Sequence, residues 1–188
     1  MRLIIFIAIL VTSSQALAQA NKDLQNQLIK MAEQSQEIRQ NLDVYGVENV
    51  PSALQSVATQ IDNLHTQTLK EIISLHGWPR KKQIEKKGIQ ALFLLVQHSK
   101  DLAFQQDMLP LIIQSFLDKD GIVGQDVAQF TDKVFIKLGR KQVFGTQAKL
   151  INGDVIFEPI ENEDSVDQLR AQMHMPPLAE YKKTPEIP

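Results

Sequence analysis

His98 is the side chain in this sequence best suited to chemistry, and it closes the run Gly88-Ile-Gln-Ala-Leu-Phe-Leu-Leu-Val-Gln97-His98. A neutral imidazole serves as general acid or base near pH 7. Asp101, three residues on, is spaced to orient that ring from the next helical turn. Gln97 adds an amide that both donates and accepts. The same pattern also suits a buried histidine that bonds Gln97 or the backbone and does no chemistry, and both readings stay open.

A second polar group is spread over Gln142, Gly145-Thr146-Gln147, Glu161, Asp167 and Arg170. Gly145 lets a ligand or another backbone approach a strand closely. Gln142, Thr146 and Gln147 would position a polar substrate, and Arg170 would hold an anionic group. Alternatively Glu161 and Asp167 pair with Arg170 across a surface turn, an arrangement worth about 0 to 1 kcal/mol. Trp78, the only tryptophan, either covers a pocket or packs under a helix end. His76 falls at a helix C-terminus, where a cation complements the dipole.

Other chemistries are excluded. The chain has no cysteine, which removes thiol catalysis, thiolate metal sites and disulfides. His76 and His98 are too far apart to suggest a metal pair, and no H-E-x-x-H occurs. Asp118-Lys-Asp120-Gly121 does not make a calcium loop, because the glycine and glutamate that such a loop needs are replaced by Val123 and Gln129. No G-x-S-x-G, phosphate loop or dinucleotide fingerprint is present, so neither metal nor cofactor is expected. Five cations between Arg80 and Lys87 suit an anionic ligand or headgroup, or simply a solvated connection.

The elements that must carry these residues read mainly as helices. Leu92 to Val96 are consecutive apolar residues, which at 100° per residue cover every face of a helix and place it in the interior. Lys22 to Leu42 is amphipathic through Leu24, Leu28, Met31, Ile38 and Leu42, with Ser35 filling a gap in the stripe. Ser52 to Leu75 follows, with Leu54, Val57, Ile61, Leu64, Thr68 and Ile72 as its inward stripe, and stops at Gly77 and Pro79. Arg80 to Lys87 reads as a polar connection. Leu102 to Leu117 forms a further apolar helix that Pro110 kinks or restarts near Leu109. Gln125 to Leu138 is the next helix.

Asn152-Gly153 between two apolar-rich runs signals a hairpin over residues 142–160, with Leu150 opposite Val155 and Ala148 opposite Phe157. Asp164 or Ser165 caps a short helix through Met173, and Leu178 to Tyr181 adds a turn. The expected fold is therefore mainly α with a small β-hairpin (α+β). It comprises an N-terminal helix over 19–50, a single α-rich domain over 51–181 and a flexible tail over 182–188.

The first residues are of a different kind. Met1-Arg2, an apolar run from Leu3 to Val11 and Ala16-Leu17-Ala18 form the pattern of a secretory signal over residues 1–18, cleaved after Ala18 or after Ala20. The apolar run is too short for a span of about 20 residues, so no transmembrane helix is expected in the mature chain. Without Arg2 the balance is 19 basic against 22 acidic residues, which argues against nucleic acid as a partner. A mature chain of this size can be held by its core alone.

Several ordered motifs resemble an uncharacterised bacterial family, a domain of unknown function. They are Gly77-Trp78-Pro79, Val96-Gln97-His98, Asp132-Lys133-Val134, Gln142-Val143-Phe144-Gly145-Thr146-Gln147, Pro159-Ile160-Glu161, Val166-Asp167-Gln168-Leu169-Arg170 and Pro177-Leu178-Ala179-Glu180-Tyr181. The resemblance covers about Leu69 to Tyr181 and leaves the N-terminal helices outside. Lys133 stands where the family usually has arginine. The resemblance implies no activity; it implies that His98, Gln147 and Arg170 recur together.

Two functions remain. One is an exported binding or interaction module of the cell envelope, periplasmic or secreted, whose partner is a small molecule or an envelope protein. The other is an exported hydrolase or transferase with His98 as acid/base.

Overall fold

The computed structural model describes residues 2–46, 49–151 and 154–183, with side chains from Gln15 onward apart from Leu150 and Asp154. The chain divides into two compact units, Met1–Lys100 and Asp101–Pro188. Among the described residues no helix is long and apolar enough to cross a membrane.

The first unit packs three helices on one another: α1 (Arg2–Asp43), α2 (Ser52–His76) and α3 (Lys81–His98). Their shared core holds Leu28, Leu69, Ile84, Ile89, Leu92 and Val96, each with essentially no exposed surface. On α1, Gln15 to Ala20 are exposed and burial begins at Gln25 and Leu28. The all-round apolar stretch of α3 is interior, as its sequence requires. Gly77, at φ 68°, ends α2 in a conformation that favours glycine.

Two expectations for this unit are corrected. Arg80 to Lys87 is not a connection: α3 starts at Lys81, because Ile84 is fully buried and anchors its first turn. The helix breaks once, at Glu85 (φ 55°, ψ 175°), a backbone state costing roughly 1–3 kcal/mol. Buried Gln25 holds that break by donating to the Glu85 carboxylate at 3.1 Å.

Helix α2 also turns a different face inward. It buries Ala58, Asp62, His65, Thr66, Leu69 and Ile72. Val57 and Leu64 of the expected stripe are instead 46 % and 64 % exposed. The inward face is half polar because its partners are polar, as described below.

The second unit pairs α4 (Leu102–Leu117) with α5 (Gly124–Lys137), followed by β1 (Ala148–Ile151), β2 (Asp154–Phe157), α6 (Val166–Gln172) and α7 (Leu178–Tyr181). Asp101 caps α4 by accepting the Phe104 N–H at 3.0 Å. Helix α4 runs through Pro110 without a restart at Leu109. The strands pair antiparallel with Ala148 opposite Phe157 and Leu150 opposite Val155, the expected register. Asn152-Gly153 lies outside the described residues. Helix α6 begins after Ser165, whose side chain makes no cap bond. The Asn162 side chain takes that role, accepting the Asp164 and Ser165 N–H groups at 3.1 and 3.2 Å.

Candidate functional site

His98 stands at the last residue of α3, half-buried, and its Nδ1 lies 2.8 Å from the Ser35 hydroxyl of α1. Ser35 has no exposed surface. It occupies a core position of α1 that the apolar stripe leaves polar. Arg39, one turn on, donates through Nη1 to the Ser35 carbonyl at 2.9 Å and to its hydroxyl at 2.8 Å. Arg39 Nη2 reaches both carboxylate oxygens of Asp62 on α2, at 3.1 and 3.0 Å. Asp62 is 3 % exposed and the Arg39 side chain 26 %, so the pair is sealed on its acidic side and partly open on the other. A continuous chain therefore links Asp62, Arg39, Ser35 and His98 across all three helices.

The same level of the bundle holds a second set. Thr66 Oγ1 lies 2.8 Å from both the Asp62 carbonyl and Ser99 Oγ. With one proton it donates to one of them at a time. His65 is buried, and its Nδ1 finds no hydrogen-bond partner among the described residues. Burial lowers its pKa from the ordinary histidine value; Asp62 opposes this and Arg39 adds to it. The ring is thus biased toward its neutral form.

Ser35 suits positioning rather than attack. Its hydroxyl is sealed within the bundle and bonded by Arg39, so an external carbonyl has no approach to it. What it does is fix the His98 ring through Nδ1. Gln97 is half-buried beside it. Trp78, in the α2–α3 connection, is also half-buried, and its indole N–H has no hydrogen-bond partner among the described residues.

The polar residues of the second unit have a different arrangement. Gln142, Thr146 and Arg170 are 0 %, 2 % and 0 % exposed. Asp132, also sealed, sits at the centre of α5. Its Oδ1 accepts the N–H groups of Val143 and Phe144 at 2.7 and 3.0 Å. Its Oδ2 accepts the Thr146 N–H at 3.0 Å and the Thr146 hydroxyl at 2.9 Å. The loop wraps the carboxylate as a backbone nest wraps an anion. Burial raises the Asp132 pKa, and the bonds from Phe144, Thr146 and Val143 oppose the rise.

The carbonyls of the loop go elsewhere. Arg170 donates from Nη1 to Phe144 O and from Nε to Pro176 O, both at 2.7 Å. The Gln142 amide imitates a strand residue: it accepts the Gln147 N–H at 2.8 Å and donates to the Gln147 and Glu158 carbonyls at 3.0 and 2.6 Å. Tyr181 O–H reaches Thr146 O at 3.4 Å. Gly145 turns the loop at φ 68°, where a Cβ would lie 2.8 Å from Leu178 Cδ1. The neighbour at Gly145 is thus a packed side chain, neither the ligand nor the backbone that its sequence suggested.

Arg170 does not form the expected surface pair. Glu161 is exposed, and Asp167 accepts the Leu178 N–H at 2.7 Å. The Gln147 side chain, half-buried, donates to Thr146 Oγ1 at 3.1 Å. Among the described residues no cluster of three or more histidine and carboxylate side chains is arranged to hold a metal.

Sequence reasoning gave no site role to Ser35, Arg39, Asp62, His65 or Asp132. Ser35 carried a readable signal, a polar residue on an apolar stripe. Asp62 and His65 carried a weaker one, three residues apart on one helix face.

Fold and site together define an α+β protein: a three-helix unit with a polar layer at His98, and a helical unit carrying a pinned hairpin. The chain belongs to a family of unknown function, DUF6624, whose model matches residues 22–186. The family therefore includes the N-terminal helices, which the motif resemblance had left outside. Neither a curated protein nor a solved structure matches the chain.

Proposed function

We propose that this chain is an exported binding module whose ligand-facing group is His98 at the polar layer of the three-helix unit. The observation that carries this is the 2.8 Å bond from sealed Ser35 to His98 Nδ1. It orders a half-buried side chain before any ligand arrives, which lowers the ordering cost of binding. Gln142, Thr146 and Arg170 act as scaffold in this reading, because each already bonds the loop around Asp132, Arg170 through Nη1 to Phe144 O, although its Nη2 has no hydrogen-bond partner among the described residues. The partner is a polar small molecule or an envelope protein.

The test is His98→Gln in the full chain, with melting temperature read beside ring-proton and ring-nitrogen NMR during a titration with envelope extract fractions. Binding that moves the His98 resonances, and is lost in the variant at an unchanged melting temperature, supports the proposal. Binding retained with a large loss of stability overturns it and makes His98 structural.

A second reading rests on the same bond. A ring oriented through Nδ1 is how an acid/base histidine is held, so turnover of an ester or glycoside lost in His98→Gln would make the protein a hydrolase or transferase. Export itself draws on the signal pattern of residues 1–18, on the exposure of Gln15 to Ala20, and on a family match that begins at residue 22. N-terminal sequencing of the protein recovered outside the cytoplasm is expected to start at Gln19 or Asn21. A start at Met1 would overturn the assignment.

A further inference from the structure

The lysines between Arg80 and Lys87 take no part in the His98 layer or in the loop around Asp132. They fall on the first two turns of α3, a helix with no acidic residue in its first turn. A helix start carries partial positive charge, so lysines there cost stability rather than add it. Glu85 is the one acid of the stretch. Its carboxylate is drawn onto α1, where it accepts from Gln25 at 3.1 Å and lies 3.9 Å from Lys22 Nζ. Lys81, Lys82, Lys86 and Lys87 stay exposed, and among the described residues none of them pairs with a carboxylate.

These lysines crown one end of the three-helix unit. Lys22 and Gln25 of α1 meet Glu85, and Ser35 meets His98, so α1 and α3 run parallel. The last turn of α2 arrives at the same end through the short connection 77–80. It brings Leu75, which is 79 % exposed, and half-buried Trp78 follows. With Lys22 and Arg80 the end holds six cations, nearly a third of the 19 basic residues that remain without Arg2, in a chain that is acidic as a whole. The acids nearest them along the chain are Asp23, Glu71 and Glu85, which they outnumber two to one.

We propose that this end of the three-helix unit docks on the surface of an anionic phospholipid bilayer, with the lysines at the headgroup phosphates and Leu75 at the edge of the acyl region. Two observations select a bilayer among anionic partners. The charge is carried mainly by exposed lysines spread over two turns, point charges suited to a plane of phosphates rather than forks closing on one. A large apolar side chain stands open at the same end; lipid rewards its burial, whereas a nucleic acid or a soluble phosphate does not.

Each lysine near an anionic surface strengthens binding about fivefold, so four give several hundredfold over a neutral surface. Salt at about 0.5 M removes that gain, because the screening length falls to about 4 Å. The His98 layer lies about 20 Å beyond Glu85 along α3, so this docking is independent of the His98 reading and either can fail alone.

Liposome flotation tests this, using the protein as its producing cell processes it. Phosphatidylcholine vesicles with and without about one-third phosphatidylglycerol are compared at about 0.1 and 0.5 M salt. Binding is expected to the anionic vesicles only, and is lost at the higher salt. Lys81→Gln with Lys82→Gln, and Lys86→Gln with Lys87→Gln, are each expected to weaken it at least about tenfold, and Leu75→Gln severalfold. The melting temperature of each variant is expected to be no lower than the parent's, with the His98 ring resonances in place. Lys141→Gln, which removes an exposed cation of the second unit, is expected to leave binding within about twofold.

No binding to either vesicle overturns the proposal. Equal binding to neutral vesicles overturns it in favour of an apolar contact, and an equal loss in Lys141→Gln in favour of net charge alone. Displacement from the vesicles by millimolar inorganic phosphate at constant ionic strength overturns it in favour of a site for a single phosphate group. Tighter binding to duplex DNA, lost in the same lysine variants, overturns it in favour of an anionic polymer. A fall of several degrees in melting temperature in either lysine pair overturns it by making those lysines structural.

Discussion

Replacing Asp132 by asparagine tests whether the Gln142–Gln147 loop is held from beneath. The carboxylate accepts three peptide N–H groups and one hydroxyl. In Asp132→Asn one oxygen remains for Val143 and Phe144, whose bonds fall from charge-assisted to neutral strength. The other oxygen becomes an NH₂ facing the Thr146 N–H across 3.0 Å, a donor against a donor. Thr146 Oγ1 can rotate to accept the new N–H, but the Thr146 peptide cannot. An orphaned buried donor costs about 1–3 kcal/mol, and weakening two charged bonds adds about 1–3 kcal/mol.

Relief from burying a charge offsets part of this, since burial already raises the Asp132 pKa. The expected net loss is about 2–4 kcal/mol. Urea unfolding followed by far-ultraviolet circular dichroism measures it. Native-state hydrogen exchange at Val143, Phe144 and Thr146 localises it, with protection falling by at least tenfold. A loss below about 1 kcal/mol with those amides still protected would refute the anchor and return Gln142, Thr146 and Gln147 to the solvent-facing reading.

Three further outcomes are expected. Arg39→Ala leaves the Asp62 carboxylate buried and unpaired, and is expected to cost about 3–5 kcal/mol, whereas the double variant with Asp62→Leu recovers much of that; additive losses in chemical denaturation would show that the pair is not coupled. Because the folded-state pKa of His65 is lowered, the unfolded chain binds its proton first as pH falls below about 6.5, so stability declines from there toward the folded pKa. Melting temperatures at pH 7.5 and 5.5 should separate in the parent and converge in His65→Gln, and an equal separation in both would assign the effect elsewhere. Gly145→Ala must place a Cβ 2.8 Å from Leu178 at φ 68° and is expected to destabilise by about 1–3 kcal/mol, read by urea unfolding; a neutral result would show that α7 shifts freely.

The hairpin register was legible because a strand has period two and Asn-Gly fixes the turn, so pairing followed from counting. The interior placement of α3 was legible because five consecutive apolar residues leave no outward face. Asp132 was not. A carboxylate in a helix reads as a solvated residue, and its partners are backbone N–H groups 11 to 14 residues on, which no side-chain pattern announces. The hydrogen bonds of Arg170 were hidden for a related reason: they go to the Phe144 and Pro176 carbonyls, which no side-chain pattern announces.

The inward face of α2 shows a deeper limit. Two stripes share the helix, and on transfer energies alone Val57, Ile61 and Leu64 outrank Ala58, Asp62 and His65. The polar face goes inward because Arg39 on α1 and Ser99 after α3 supply its hydrogen bonds. A helix read by itself has no access to those partners, so its own periodicity cannot choose between its faces. The choice also has a consequence. Burying the polar stripe leaves Val57, Leu64 and Leu75 exposed. The polar layer that orders His98 and the exposed Val57, Leu64 and Leu75 are thus two results of one rotation of α2. A variant that restored apolar packing inside, such as Arg39→Met with Asp62→Leu, is expected to keep the fold while loosening the Ser35–His98 bond, which Arg39 also holds. Histidine ring NMR reads that loosening directly, and an unchanged His98 ring in the double variant would show that Ser35 orders it without help from the ion pair.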